Sequence, residues 1–155
     1  MIPAETLIVL DTGILVHLVR WGPVGQRIAS EHNLLGRKER PFLSMVTAGE
    51  MEALTRKLQW GEARRQQAAT WLLDCVLVPL TPGAMVSAYG EIDHYTECQH
   101  KPARRMGKND IWIAATARVL GATLITCDAD FDHLSPRFLS LVRVDQQTGA
   151  TILET

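Results

Sequence analysis

Cysteine is scarce and unpaired: Cys75, Cys98 and Cys127 stand at wide spacing with no CxxC pair. An odd set of that kind excludes a secreted disulfide scaffold and reads as small buried hydrophobes in a reducing, cytoplasmic compartment. Long apolar runs are missing as well. Stretches such as 7–10 and 111–115 fall far short of the ~20 residues that cross a bilayer, and no basic-then-apolar leader precedes the first strand, so no membrane association is expected. Nor does one charge dominate: 16 Lys and Arg stand against 17 Asp and Glu, a net charge of −1. That balance excludes binding of nucleic acid by bulk charge, leaving only an uneven distribution to do it. Repeats, low-complexity tracts and linkers are also absent. With 155 residues, 46% of them hydrophobic, the expectation is a single domain over residues 1–155 that needs neither disulfides nor a structural metal to hold its core.

Short β-type runs alternate with helical patterns, which predicts an α/β fold built on a parallel sheet. Five runs, 6–10, 41–44, 75–80, 122–127 and 141–144, are apolar enough for strands covered on both faces. Between them Met51, Leu54 and Leu58 recur at helical spacing, as do Ala68, Trp71 and Cys75, and then Met85, Ala88 or Tyr89, Ile92 and Tyr95. Stripes of that period are core faces. The stretch 111–120 is apolar nearly all round and predicts the most buried helix, ended by Gly121. Segment 22–40, with Gly22-Pro23, Gly25 and a charged run, is expected to be irregular.

The acidic residues fall at telling places. Asp11 follows the first strand where a helix begins near Ile14; Glu50 lies in the first turn of the helix after the second strand. Asp110 opens the buried helix and Asp128 ends the fourth strand. In a right-handed parallel βαβ layout every strand C-terminus and every crossover-helix N-terminus share one edge, the edge where open α/β sheets bind ligands. Taken singly, each has an ordinary structural explanation. Thr47-x-x-Glu50 fits a capping box, Asp11 and Asp128 fit N-caps or Asx turns, and Asp110 suits a helix dipole. Together, four carboxylates on one partly desolvated edge repel one another unless a cation is present. An oxygen-only set suits Mg²⁺ or Mn²⁺. His94 and Cys98 at i, i+4 with His100 nearby suggest zinc only weakly, since a fourth ligand is missing.

A basic counterpart sits on the same edge: Lys101, Arg104, Arg105 and Lys108 precede Asp110 with no acid among them. If metal neutralises the four acids, 16 basic residues face 17 − 4 = 13 acidic ones. A positive remainder beside a metal site suits a polyanionic substrate, although a solvated charge run is the ordinary alternative.

The run Gly107-Lys108-Asn109-Asp110-Ile111-Trp112-Ile113-Ala114-Ala115-Thr116-Ala117, followed by residues 121–131, resembles the C-terminal half of the PIN-domain ribonucleases, especially their VapC-type toxin branch. Leu10-Asp11-Thr12 and Ser44-x-x-Thr47-x-x-Glu50 look like that family's two N-terminal motifs. The resemblance implies a three-layer α/β/α fold with strand order 3-2-1-4-5 and Mg²⁺- or Mn²⁺-dependent cleavage of RNA. It also implies homodimerisation and, in the toxin branch, an antitoxin that blocks the cleft. Asp11, Glu50, Asp110 and Asp128 would form the acidic set, Asp130 a variable fifth metal ligand. Thr12 and Thr126 would hold a carboxylate or water, or meet substrate beside Lys101, Arg104, Arg105 and Lys108. Gly13 departs from the family, which often has Asn or Ser there, so a polar contact is lost. The expected reaction is hydrolysis by a metal-activated water, leaving 5′-phosphate and 3′-hydroxyl ends. The alternative is a catalytically weak scaffold that acts by binding protein or RNA. Asp11-Thr12-Gly13 is also the aspartic protease triplet, but Ile14-Leu15-Val16 continues into a helical pattern. A phosphoaspartyl enzyme would want a second Asp where Gly13 stands.

Overall fold

A computed structural model describes residues 2–155. Strand β1 (Ile8–Leu10) leads into helices α1 (Thr12–Arg20) and α2 (Pro23–Glu31). Strand β2 (Phe42–Ser44) follows, then α3 (Met45–Lys57), α4 (Glu62–Asp74) and β3 (Val76–Val78). Helix α5 (Ala84–His94) runs on as a π-helical turn, Tyr95–Gln99, before α6 (Lys108–Leu120) and β4 (Thr123–Thr126). A 3₁₀ segment, Ala129–Leu134, and strands β5 (Ser140–Val144) and β6 (Thr151–Glu154) complete the chain. The sheet order is β3-β2-β1-β4-β5-β6. The five expected strands pair in parallel in the expected order, and β6 adds an antiparallel edge.

The central strands are apolar on both faces because helices cover both. Ile8 and Leu10 of β1, Ile125 of β4 and Val142 and Val144 of β5 join a core with Ile14, Leu15, Leu18, Ile28 and Met51 from α1 to α3. Their alternates, Val9, Leu124 and Leu141, face a second core built from α5, α6 and the 3₁₀ segment, with Ile92, Ile111, Ala114 and Phe131. That period of two, buried either way, produces three layers. Helix α6 buries more residues than any other helix described, Ile111, Ile113, Ala114, Ala115, Thr116 and Ala117, although the shorter α1 is buried over a larger share of its length. Helix α6 ends on Gly121 at φ 60°, a left-handed cap that costs glycine least. Strand β3 lies at the edge, as the order 3-2-1-4-5 implies, but departs from expectation in burial, since Leu77 is exposed.

Three further expectations are corrected. Segment 22–40 contains α2, because Pro23 stands at the first helical turn, where its missing N–H costs nothing. Gly25 is there for close approach: a Cβ at that position would lie 2.1 Å from the carbonyl oxygen of His17 on α1. Leu58 caps α3 and is exposed, so that stripe ends at Leu54. Cys75 is buried and Cys127 half-buried, but Cys98 is exposed on the π-helical turn, and all three thiols are free. No helix among the described residues is long and apolar enough to cross a membrane.

Candidate active site

The four acids do meet at one edge. Asp11, Glu50, Asp110 and Asp128 line a single open cavity of about 480 Å³, together with Thr12, Gly13, Cys127, Ala129 and Gln146. Asp11 is the N-cap of α1 and accepts from Thr12 N on Oδ1 at 2.7 Å. Its other oxygen, Oδ2, accepts from Thr126 Oγ1 at 2.6 Å. Thr126 in turn accepts from the backbone N–H of Asp128 at 2.9 Å. On the other side Thr12 Oγ1 donates to Glu50 Oε1 at 2.7 Å and lies 3.1 Å from Thr47 Oγ1. The hydroxyl has one hydrogen, which the shorter bond gives to the carboxylate, leaving Thr47 Oγ1 as a second, more distant acceptor. Thr126 through its hydroxyl, and Thr12 through its backbone N–H and its hydroxyl, therefore tie Asp11 to Glu50 and to the backbone of Asp128.

This network corrects the capping-box expectation. The cap of α3 is Ser44, whose hydroxyl accepts from Val46 N at 3.3 Å, and Glu50 turns to Thr12. Capping and clustering prove compatible for the aspartates: Asp128 caps the 3₁₀ segment through Asp130 N at 2.8 Å and still lines the cavity. Asp110 lies in the first turn of α6, half-buried and outside the hydroxyl network. Its Oδ2 sits 3.1 Å from where a Cβ on Gly107 would be, so the glycine leaves room for the carboxylate.

Burial and mutual repulsion set the electrostatics. Asp11 has 8% of its surface exposed, and its pKa is pushed up to about 6. Desolvation is the main cause, with Glu50 and Asp128 adding to it against the bonds from Thr126 and Thr12. Asp110 is also raised to about 6, by burial first and then by Asp11, Asp128, Glu50 and Asp130. The Cys127 thiol is pushed up to about 11 by burial and by Asp11, Asp145 and Asp128. Such crowding of negative charge is what a cation relieves.

Among the described residues no three His, Cys, Asp or Glu side chains close into a metal cage. An open cavity edged by carboxylates still matches an ion that keeps several waters and takes only one or two carboxylates directly. The donors are oxygen, which suits a hard divalent ion and not zinc. The His94, Cys98 and His100 group likewise forms no metal cluster.

Other expected residues lie elsewhere. Asp130 is exposed and does not line the cavity, although its charge reaches Asp110. Thr126 has no accessible surface, so it holds Asp11 and cannot touch a substrate. Thr12 lines the cavity but spends its hydroxyl on Glu50. Lys101, Arg104, Arg105 and Lys108 are exposed, and none lines the cavity. Their loop is pinned by Arg104 N to Thr96 O at 2.9 Å, while Arg105 lies 3.8 Å from Glu97. Gln146 was not anticipated; it arrives on the turn between β5 and β6, whose strand pattern is too short and exposed to signal itself.

A mostly parallel α/β sheet with oxygen donors gathered at the C-terminal ends of its strands belongs to the class of three-layer folds that present an acidic cleft. Within that class the particular family is shown by sequence: the PIN domain model matches residues 8–135, and the chain belongs to the PIN domain family. No curated protein sequence matches it significantly. Its fold is that of the VapC-type proteins. VapBC2 from Rickettsia felis, solved bound to a promoter DNA fragment, superposes with a TM-score of 0.74 at 21% identity, covering 88% of this chain and 98% of that one. VapBC-1 from nontypeable Haemophilus influenzae gives 0.61 at 25% identity over 90% and 98%. Mycobacterium tuberculosis VapC20, described as a Sarcin-Ricin loop cleaving toxin, gives 0.57 at 18% identity over 83% and 95%.

Proposed function

We infer that this PIN domain is a divalent-metal-dependent endoribonuclease and the toxin of a toxin-antitoxin pair. The observation that carries the reading is the convergence of Asp11, Glu50, Asp110 and Asp128 on one open cavity, two of them with pKa values near 6. The toxin-antitoxin complexes among its structural relatives support a cognate antitoxin, and VapC20 supports RNA as the substrate class.

When bound, Mg²⁺ or Mn²⁺ lowers the pKa of its water and offsets charge on the phosphate oxygens. Asp11, Glu50, Asp110 and Asp128 are the residues that would hold it. Asp11 is fixed in one orientation by donors on both oxygens, which preorganises the site and spares reorganisation during reaction. Thr12 holds one oxygen of Glu50. Asp110 has no such tether and stands in the first turn of α6. Water is the nucleophile and the 3′ oxygen, taking up a proton, is the leaving group, so products carry 5′-phosphate and 3′-hydroxyl ends.

The test is cleavage of RNA by purified protein with Mg²⁺ or Mn²⁺, with product ends identified by phosphatase and ligase treatment. Asp110→Asn is expected to lose at least about 100-fold in rate, in keeping with removal of an electrostatic group from a preorganised site. Full activity in that variant, or 2′,3′-cyclic ends, would overturn the reading. A scaffold with purely capping acids would instead show no thermal stabilisation by millimolar Mn²⁺.

A further inference from the structure

Glu50 lines two cavities. Besides the acidic one, a second groove of about 490 Å³ opens along α3, lined by Val46, Gly49, Ala53, Leu54 and Lys57, with Asn109 of α6. Its size is in the range of small-ligand sites. Its floor is aliphatic, and its polar groups stand on two different helices. Lys57 makes no ion pair and the Asn109 amide no hydrogen bond among the described residues. The neighbouring Arg56, by contrast, is committed to Glu52 at 2.8 Å. A Cβ on Gly49 would meet nothing within 4 Å, so this wall stays open beside Glu50.

We propose that this groove seats the nucleotide next to the scissile phosphate of single-stranded RNA, Lys57 contacting its phosphate and Asn109 its base edge. The inference rests on the ribonuclease reading above. The chemistry matches at three points. A cationic Nζ suits a phosphate oxygen. A carboxamide offers adjacent donor and acceptor, the pattern by which unpaired bases are recognised on their exposed edges. The aliphatic floor of Val46, Ala53 and Leu54 gives the base face an apolar bed. Because Glu50 borders both cavities, a strand whose phosphate lies at the acids passes directly into the groove.

The experiment uses the full chain and a 5′-fluorescein-labelled single-stranded RNA randomised at its central positions, with Mg²⁺ or Mn²⁺. Cleavage sites are sequenced and half-saturating RNA concentrations are measured across salt. For Lys57→Gln the slope of log affinity on log salt is expected to shallow by about 0.7, the loss of one single-strand phosphate contact. Between ~50 and ~200 mM salt the wild type should then lose about threefold more affinity than the variant. Asn109→Ala is expected to flatten base preference by about fivefold or more at one position and at no other. Gly49→Leu fills the groove without backbone strain and should weaken RNA binding while leaving the melting temperature unchanged or higher. Arg56→Gln is the control for bulk charge. If wild type cleaves while the slope, the preference and the Gly49→Leu affinity all stay at wild-type values, or if Arg56→Gln shallows the slope equally, the groove assignment is wrong and the ribonuclease reading stands. If wild type cleaves no RNA, the ribonuclease reading falls and takes the groove with it.

Discussion

Asp11→Asn tests the electrostatics of the cavity without requiring catalysis. In the folded protein the Asp11 pKa is raised from 3.8 to about 6, chiefly by burial. A folded carboxylic acid that holds its proton more tightly than the unfolded chain contributes stability below pH ~4 that is lost as pH rises to ~6. The shift corresponds to a cost of about 3 kcal/mol at neutral pH. Asparagine removes the charge and nearly keeps the shape. Its oxygen can still accept from Thr12 N, and the Thr126 hydroxyl can rotate to accept from its amide. Allowing about 1 kcal/mol for poorer hydrogen bonds, the variant should be more stable than wild type by about 2 kcal/mol near pH 7.5 in chelator. For a chain of this size that raises the melting temperature by about 4–8 °C. Thermal melts monitored by circular dichroism from pH 4 to pH 8 in EDTA provide the assay. The two stabilities should cross between about pH 4 and 5, the wild type alone declining steeply above that. Half-exposed Asp110 titrates in the same direction in both, with a smaller effect after Asp11 is neutralised. Saturating Mn²⁺ should reverse the order, since an ion at 100 times its Kd stabilises the wild type by about 2.7 kcal/mol. The reasoning fails if the variant melts at or below wild type in EDTA at pH 7.5, or if the wild-type profile is flat from pH 4 to 6.5.

Three further outcomes are expected. Gly25→Ala drives a Cβ against the His17 carbonyl and should destabilise by about 2–3 kcal/mol through overpacking between α1 and α2, measured by urea denaturation. Gly107→Ala keeps an ordinary helix-cap backbone at φ −60° but crowds Asp110 Oδ2; RNA cleavage should fall several-fold while the melting temperature moves by less than about 2 °C, and an unchanged rate would show that Asp110 yields freely. Replacing Lys101, Arg104 and Arg105 together by Gln should weaken RNA binding and shallow its salt dependence, by fluorescence anisotropy, even though none of the three lines the acidic cavity; identical salt slopes would mark the loop as mere solvated surface.

What the sequence made legible was the part governed by topology. Strand ends and helix starts share an edge in any right-handed parallel layout, so Asp11, Glu50, Asp110 and Asp128 could be gathered from their positions alone. What it hid was decided by side-chain geometry. Nothing in Thr47-x-x-Glu50 reveals that Glu50 prefers the Thr12 hydroxyl of another helix over its own backbone, because that contact spans 38 positions. Helix α2 was obscured by Gly22-Pro23 and Gly25, residues that break helices in general but here begin one and let it press against α1. Strand β6 escaped because an exposed edge needs little apolar content: its residues alternate between half-buried and exposed.

Cys127 shares the wall of the acidic cavity and keeps its proton well above physiological pH. A protonated sulfur is a poor nucleophile, so peroxide and alkylating agents find little to attack in a cleft that must stay open to water. Burial first, and the neighbouring acids after it, thereby blunt the one thiol on this wall, so thiol-directed labelling of the folded protein should be slower at Cys127 than at the exposed Cys98.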